Sequence, residues 1–171
     1  GSVRPPSAAI RPLSVSREGG RLWLDFPAIE AVEKGVTVEI ERALNVQAVD
    51  VLSSNELFVV LESEQAVLDC TPDMVALAKL PWLGAIVTAR GNQHDFVSRY
   101  FAPAIGINED PVTGSTHCSL IPYWSKRLGK SSLTACQRSA RGGELFCQLE
   151  GERVKIGGNA TLVASGTLML G

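Results

Sequence analysis

One apolar helical segment stands among many short strand-like runs, and this arrangement limits the folds open to the chain. Apolar side chains recur at helical spacing in residues 116–128: Leu120, Ile121, Trp124 and Leu128. Gly129 follows as a stop signal, and Pro122 inside the segment should kink or loosen one turn because proline has no backbone N–H. The other runs have the length and glycine punctuation of strands. One such helix among many short strands predicts an α+β fold with a largely antiparallel sheet.

Turn residues divide the remainder of the chain into short elements. The patterns predict a flexible, Pro-rich leader in residues 1–12, a helix in residues 36–44 and a second helix that ends at Lys79. The second helix should begin with Thr71 as its cap and Pro72 at its first position. Strands, some of them paired in hairpins, are expected at residues 13–16, 21–26, 48–52, 57–61, 84–88, 96–101, 133–137, 144–149, 153–156 and 160–168.

An acidic turn with proline and glycine, residues 108–117, runs directly into the apolar helix. Ser115 or Thr116 can cap the helix, because a hydroxyl accepts hydrogen bonds from amides that lack a partner within the helix. Gly114 lets the backbone approach a ligand, and the partial positive charge of a helix start attracts a carboxylate or phosphate. Asp110 lies just before this point and can hydrogen bond a polar substrate or move a proton. A plain turn with a capped helix and no ligand is the alternative.

Two side chains near this turn have competing interpretations. Arg141, within the pattern QxSxRGG of residues 137–143, can pair with a substrate carboxylate, since a guanidinium donates to two oxygens at once. Arg141 can equally tie two strands together through their backbone carbonyls. His117 is flanked by apolar residues on the helix, which favours a packed group over a catalytic one.

Cysteine usage and charge exclude several kinds of partner. The four cysteines form no CxxC pair and are accompanied by only two histidines, so no metal site is predicted. We expect reduced, mostly buried thiols in a cytoplasmic protein, with Cys118 as a possible exception because a helix start lowers the pKa of a thiol. The formal net charge of -2 gives no support for a nucleic-acid partner. No apolar run reaches the roughly 18 residues of a membrane span.

Five motifs occur in a fixed order along the chain. They are DFVSRYFAP (95–103), EDPVTGSTH (109–117), PYW (122–124), QRSARGGEL (137–145) and VKIGGNATLVASGTL (154–168). With these motifs the chain resembles the phenazine-biosynthesis (PhzF-like) family, which has the diaminopimelate epimerase-like fold. The resemblance implies a curved, mixed or antiparallel sheet wrapped around one central helix. It also implies a division into a leader (1–12), strands left from a first half or linker (13–28) and a C-terminal domain (29–171).

The resemblance also implies a chemistry and a missing partner. Family members isomerise a small carboxylate or amino-acid-like metabolite by proton transfer, without metal or organic cofactor, in a cleft between two similar halves. The Glu-containing motif that transfers the proton belongs to the first half, and we do not find it in this sequence. The site residues implied here are Asp110 for catalysis and, for substrate binding, Gly114, Ser115, Thr116 and Arg141.

The chain is therefore expected to be an incomplete isomerase that forms a homodimer or pairs with a complementary half. The pairing is expected because a half that normally meets a sister half exposes an apolar face. A non-catalytic module that binds a small anion, or an assembly subunit, is the main alternative. A fragment without function is a further one.

Overall fold

The structure, a computed structural model, describes residues 13–161 and 163–167, so the predicted leader lies outside the described residues. Ten strands follow one another as β1 (Ser14–Glu18), β2 (Arg21–Pro27), β3 (Val32–Glu33), β4 (Asp50–Ser53), β5 (Leu57–Val60), β6 (Ala85–Arg90), β7 (Phe96–Phe101), β8 (Ser132–Gln137), β9 (Gly143–Glu150) and β10 (Arg153–Gly158). The helices are α1 (Val38–Leu44), α2 (Glu64–Asp69), α3 (Met74–Leu77) and α4 (His117–Leu128), with a 3₁₀ turn at Pro103–Ile105.

All ten strands belong to one mixed sheet with the order β1-β2-β10-β9-β8-β7-β6-β5-β4-β3. Neighbours are antiparallel except for β5 with β6 and β7 with β8, which are parallel. The predicted hairpins β1–β2 and β4–β5 are both present. Residues 13–28 join the sheet because β2 is hydrogen bonded along β10. The predicted α+β fold with a mixed, mostly antiparallel sheet is confirmed.

The central helix and the three short helices cover opposite faces of the sheet. On one face, α4 contacts β8, β9 and β10, and the Trp124 ring stacks on Phe96 with 5.9 Å between centroids. On the other face, α1, α2 and α3 bury Leu44, Val67 and Leu77. The interior strand β6 lies between these two cores, which explains why five of its six side chains are buried. Each fully buried aliphatic or aromatic side chain contributes about 1.5–3 kcal/mol to folding.

Pro122 is accommodated inside α4 by a backbone contact from outside the helix. Because proline has no N–H, the carbonyl of Cys118 one turn earlier lacks its usual helical donor. The amide of Ile29 fills this position and donates to the Cys118 carbonyl at 2.9 Å. The segment between β2 and β3 is thereby fixed across α4. At its end α4 stops at Gly129, which has φ 66° as predicted for a glycine stop.

Two predictions of secondary structure are corrected by the described residues, and one short helix was not predicted. The cap of α3 is Asp73, which accepts from the amides of Val75 and Ala76, and not Thr71. Helix α2, capped by Ser63, was not predicted because its six residues are too few to show a helical period. The expected strand at 160–168 is absent from its described part, since residues 160, 161 and 163–167 have no strand structure. This segment cannot pair with the strand that precedes it, because β10 is already paired with β2 on one side and β9 on the other.

Candidate functional site

The acidic turn before α4 is anchored to the end of β7. The amide of Asp110 donates to the carbonyl of Tyr100 at 3.0 Å. One residue earlier, Glu109 receives two hydrogen bonds from the guanidinium of Arg99, at 2.7 and 3.1 Å. The turn is therefore attached to a buried strand by both its backbone and its side chains.

The pattern QxSxRGG after β8 holds the same turn from the other side. The buried side chain of Gln137 accepts from the amide of Thr113 at 2.8 Å and donates to the carbonyl of Asp110 at 2.7 Å. The hydroxyl of Ser139 donates to the carbonyl of Pro111 at 2.7 Å. Gly143 completes the fit, because a side chain at this position would collide with a methyl group of Val112.

Three backbone amides immediately before α4 lack a hydrogen-bond acceptor within the described part of the chain. The amides of residues 114, 115 and 116 have no acceptor among the residues that the structure describes. Their positive ends add to the partial positive charge of the helix start. The predicted hydroxyl cap is corrected here, since the Thr116 hydroxyl is buried and donates to the Thr113 carbonyl at 3.0 Å. The Ser115 side chain is exposed beside it.

A groove of about 540 Å³ opens at this helix start. Its lining includes Gly114 and Arg141, together with apolar side chains of the sheet such as Val15, Leu22 and Leu24. A side chain on Gly114 would meet no atom within 4 Å, so the glycine leaves open space above the amides. The structure therefore brings two of the predicted substrate-binding residues together, one glycine and one arginine.

Asp110 lies beside this groove and is not part of its lining. Its carboxylate is half-buried, and its Oδ2 atom accepts a short hydrogen bond from the Thr113 hydroxyl. The other oxygen, Oδ1, has no hydrogen-bond partner among the described residues. The residue that donates to this carboxylate, Thr113, directly precedes Gly114, which has the first of the three amides without an acceptor.

The comparisons with known proteins agree with one another. A sequence model of phenazine biosynthesis-like proteins (PhzC-PhzF) matches residues 15–166. An uncharacterized isomerase of Pseudomonas aeruginosa is 66% identical over 159 residues, which is 92% of this chain and 61% of the relative. A second uncharacterized isomerase of that organism is 48% identical over 158 residues, again 92% of this chain and 61% of the relative. The crystal structure of a PhzF-family phenazine biosynthesis protein from Enterococcus faecalis has a TM-score of 0.87 and 46% identity, covering 93% of this chain and 62% of that one.

The chain belongs to the phenazine biosynthesis-like (PhzF) family. The predicted family membership and the predicted fold are thereby confirmed. The chain spans about three fifths of the length of the three relatives named above. In the described residues, no helix is long and apolar enough to cross a membrane.

His117 of this PhzF-family chain is a packed residue. Its side chain is fully buried, and its Nδ1 atom lies 2.8 Å from the Thr113 carbonyl, which can only accept. Nδ1 therefore carries the proton, while Nε2 has no hydrogen-bond partner within the described structure. Burial lowers the pKa of His117 to about 4, although the hydrogen bond to Thr113 acts in the opposite direction. A ligand in the groove cannot reach this ring, which supports the packed interpretation.

Cys118 is not the reactive thiol that its place near the helix start suggested. The side chain is buried, and burial raises its pKa to about 11. Loss of hydration outweighs the helix-start effect, because the thiolate is cut off from water. The same cause raises the pKa of Cys70 to about 11 and that of Cys147 to about 12.

Sequence reasoning missed the organising role of two side chains. Gln137 is central to the PhzF-family turn, yet a lone polar residue in a strand pattern shows no sign of its partners. Its place in QxSxRGG was the one available signal. Arg99 was also missed, because it lies in the middle of β7 and its contacts are distant in sequence.

Proposed function

We propose that this chain is the substrate-holding part of an isomerase that moves a proton on a small carboxylate or amino-acid-like metabolite, without metal or organic cofactor. The observation that carries the proposal is the row of three amides without acceptors in the described structure at residues 114–116, the first of which, at Gly114, lines one groove together with Arg141. Such amides at a helix start bind an anion through hydrogen bonds and partial charge. The uncharacterized isomerases among the relatives support the reaction class.

In this proposal each group has a separate task. The amides of residues 114–116 and the guanidinium of Arg141 hold the substrate carboxylate. Asp110 accepts a hydrogen bond from a second polar group of the substrate through Oδ1 and assists proton transfer there. The apolar wall of Val15 and Leu24 keeps water away from the reacting carbon once the groove is covered.

The partner that covers the groove is also part of the proposal. Val15 and Leu22 of the neighbouring strands β1 and β2 are 64% and 37% exposed, and Leu13 just before β1 is 62% exposed, an unusual grouping of exposed apolar side chains. The relatives contain a further part that this chain does not match. We propose that an equivalent complementary half covers this wall and supplies the carboxylate that takes the proton. A second copy of the chain is the other candidate, as a homodimer.

Deuterium uptake tests the function. The chain would be incubated in deuterium oxide with a panel of small carboxylic and amino acids, alone and with the part of the 66% identical relative that it does not match. We expect carbon-bound deuterium only in the mixture. The variant Asp110→Asn should reduce the rate of deuterium uptake about tenfold, because a neutral acceptor takes the place of a charged one.

Light scattering on the same samples identifies the partner. A mixture that forms a one-to-one complex supports the complementary half, and a dimer of the chain alone supports the second copy. Rapid exchange by the chain alone as a monomer would contradict the need for a partner. Binding of an acid without exchange in any sample would favour the anion-binding module.

A further inference from the structure

We infer that Gln137 is a positioning residue that sets the direction of the Asp110 carboxylate. The inference rests on one part of the proposed function, namely that Asp110 contacts a ligand. Gln137 itself is fully buried and touches neither the groove nor any ligand position. Its effect on a ligand therefore has to pass through the turn that it holds.

The orientation of the Gln137 amide is fixed by its partners. Its Oε1 atom faces the amide of Thr113, which can only donate. Its Nε2 atom faces the carbonyl of Asp110 and also donates to the Thr113 hydroxyl oxygen at 3.1 Å. The reversed amide would place two donors together and an oxygen against a carbonyl, so this orientation is the stable one.

This orientation decides where the single hydroxyl proton of Thr113 points. Because Gln137 donates to the hydroxyl oxygen, the hydroxyl has to donate elsewhere, and its acceptor is Oδ2 of Asp110. The result is a directional relay from Gln137 through Thr113 to Asp110, in which each hydrogen bond strengthens the next. The relay occupies Oδ2 and leaves Oδ1 without a hydrogen-bond partner among the described residues.

The relay predicts a selectivity that does not depend on the overall charge of the ligand. Acetate and glycolate both carry one negative charge, and glycolate adds a hydroxyl group that can donate a hydrogen bond to Oδ1 of Asp110. We expect the wild-type chain to bind glycolate about fivefold more tightly than acetate, the effect of about one hydrogen bond. Nuclear magnetic resonance titrations of the amides of residues 114–116 would give both dissociation constants.

Variants then separate positioning from simple structural support. Gln137→Glu keeps the acceptor for the Thr113 amide and loses both donors, while Gln137→Met loses all three contacts. Each of these two variants, and also Thr113→Val, should bind glycolate and acetate with about equal affinity. The negative charge that Gln137→Glu adds cannot by itself remove the preference for glycolate, because it repels the two singly charged probes alike. Ser139→Ala is the matched control, because it removes another tie to the same turn and should keep the preference.

A second readout needs no ligand. The carboxyl ¹³C signal of Asp110 should shift in Gln137→Glu as it does in Thr113→Val, and stay in place in Ser139→Ala. If the wild type binds neither probe, or binds both equally, the proposed contact of Asp110 with a ligand is wrong. The carboxyl ¹³C signal of Asp110 then tests the relay by itself. An unmoved Asp110 signal in Gln137→Glu, an unchanged glycolate preference in both Gln137 variants, or an equal loss in Ser139→Ala would overturn the inference.

Discussion

Replacing Arg99 by methionine is expected to lower the free energy of unfolding by about 3 kcal/mol. The guanidinium donates to both oxygens of Glu109 and to the carbonyls of Val67, Leu68 and Cys70 at the end of α2. The two charged side chains are only 15% and 22% exposed, so water can replace these contacts only in part. Methionine keeps the apolar stem and leaves a half-buried carboxylate and three carbonyls without their donor.

Urea denaturation at pH 7 measures this loss. The ion pair of Lys155 with Glu150 supplies the matched control, because its side chains are 35% and 52% exposed. Lys155→Met should leave the denaturation midpoint within experimental error, as removal of an exposed pair generally does. Equal midpoints for the Arg99 variant and the wild type would show that Arg99 does not fasten the turn to α2.

Acid should remove about 3 kcal/mol of stability through His117 alone. The pKa of this histidine falls from 6.5 to about 4 on folding, mainly because burial disfavours its charged form. Between these values the unfolded state binds more protons than the folded state, so stability falls as the pH falls. Relative to its value above pH 6.5, the free energy of unfolding is expected to be about 2 kcal/mol lower at pH 5 and about 3 kcal/mol lower at pH 4.

The variant His117→Asn isolates this effect from the other titrating groups. Its amide nitrogen can take the place of Nδ1 and donate to the Thr113 carbonyl, yet it does not titrate. The difference in unfolding free energy between wild type and variant should therefore shift by about 3 kcal/mol from pH 7 to pH 4 in favour of the variant. A difference that stays constant with pH would mean that the ring is hydrated or charged in the folded chain.

Elements with local signals could be predicted from the sequence. The hairpin of β1 and β2 was evident because Gly19 and Gly20 form a turn between two strand patterns, and both glycines have positive φ. Helix α4 was evident because its apolar spacing and Gly129 are both local features. The family motifs then supplied the sheet wrapped around this helix, which local patterns do not contain.

Features that depend on distant partners could not be predicted. Nothing near Trp23 indicates that β2 lies beside β10, where the Trp23 ring covers Gly157. The strand pattern at 160–168 misled for a related reason, because apolar β-branched residues form a strand only where they pair with another strand, and the described residues 160, 161 and 163–167 pair with none. In the candidate site, Gly114 and Arg141 were predicted, but the relay through Gln137 depends on a side-chain orientation that only the folded turn reveals.

Titration of the ¹⁵N-labelled chain with sodium acetate, at ionic strength matched with chloride, tests the central claim most directly. The amides of residues 114–116 should show the largest shifts, since they are free and lie at the start of α4. The amide of Ile40, which Thr37 already occupies at the start of α1, should stay in place as the internal control. Saturable shifts confined to residues 114–116 and their neighbours are the predicted result. Shifts that are absent there, or equally large at Ile40, would contradict a carboxylate site at this helix start.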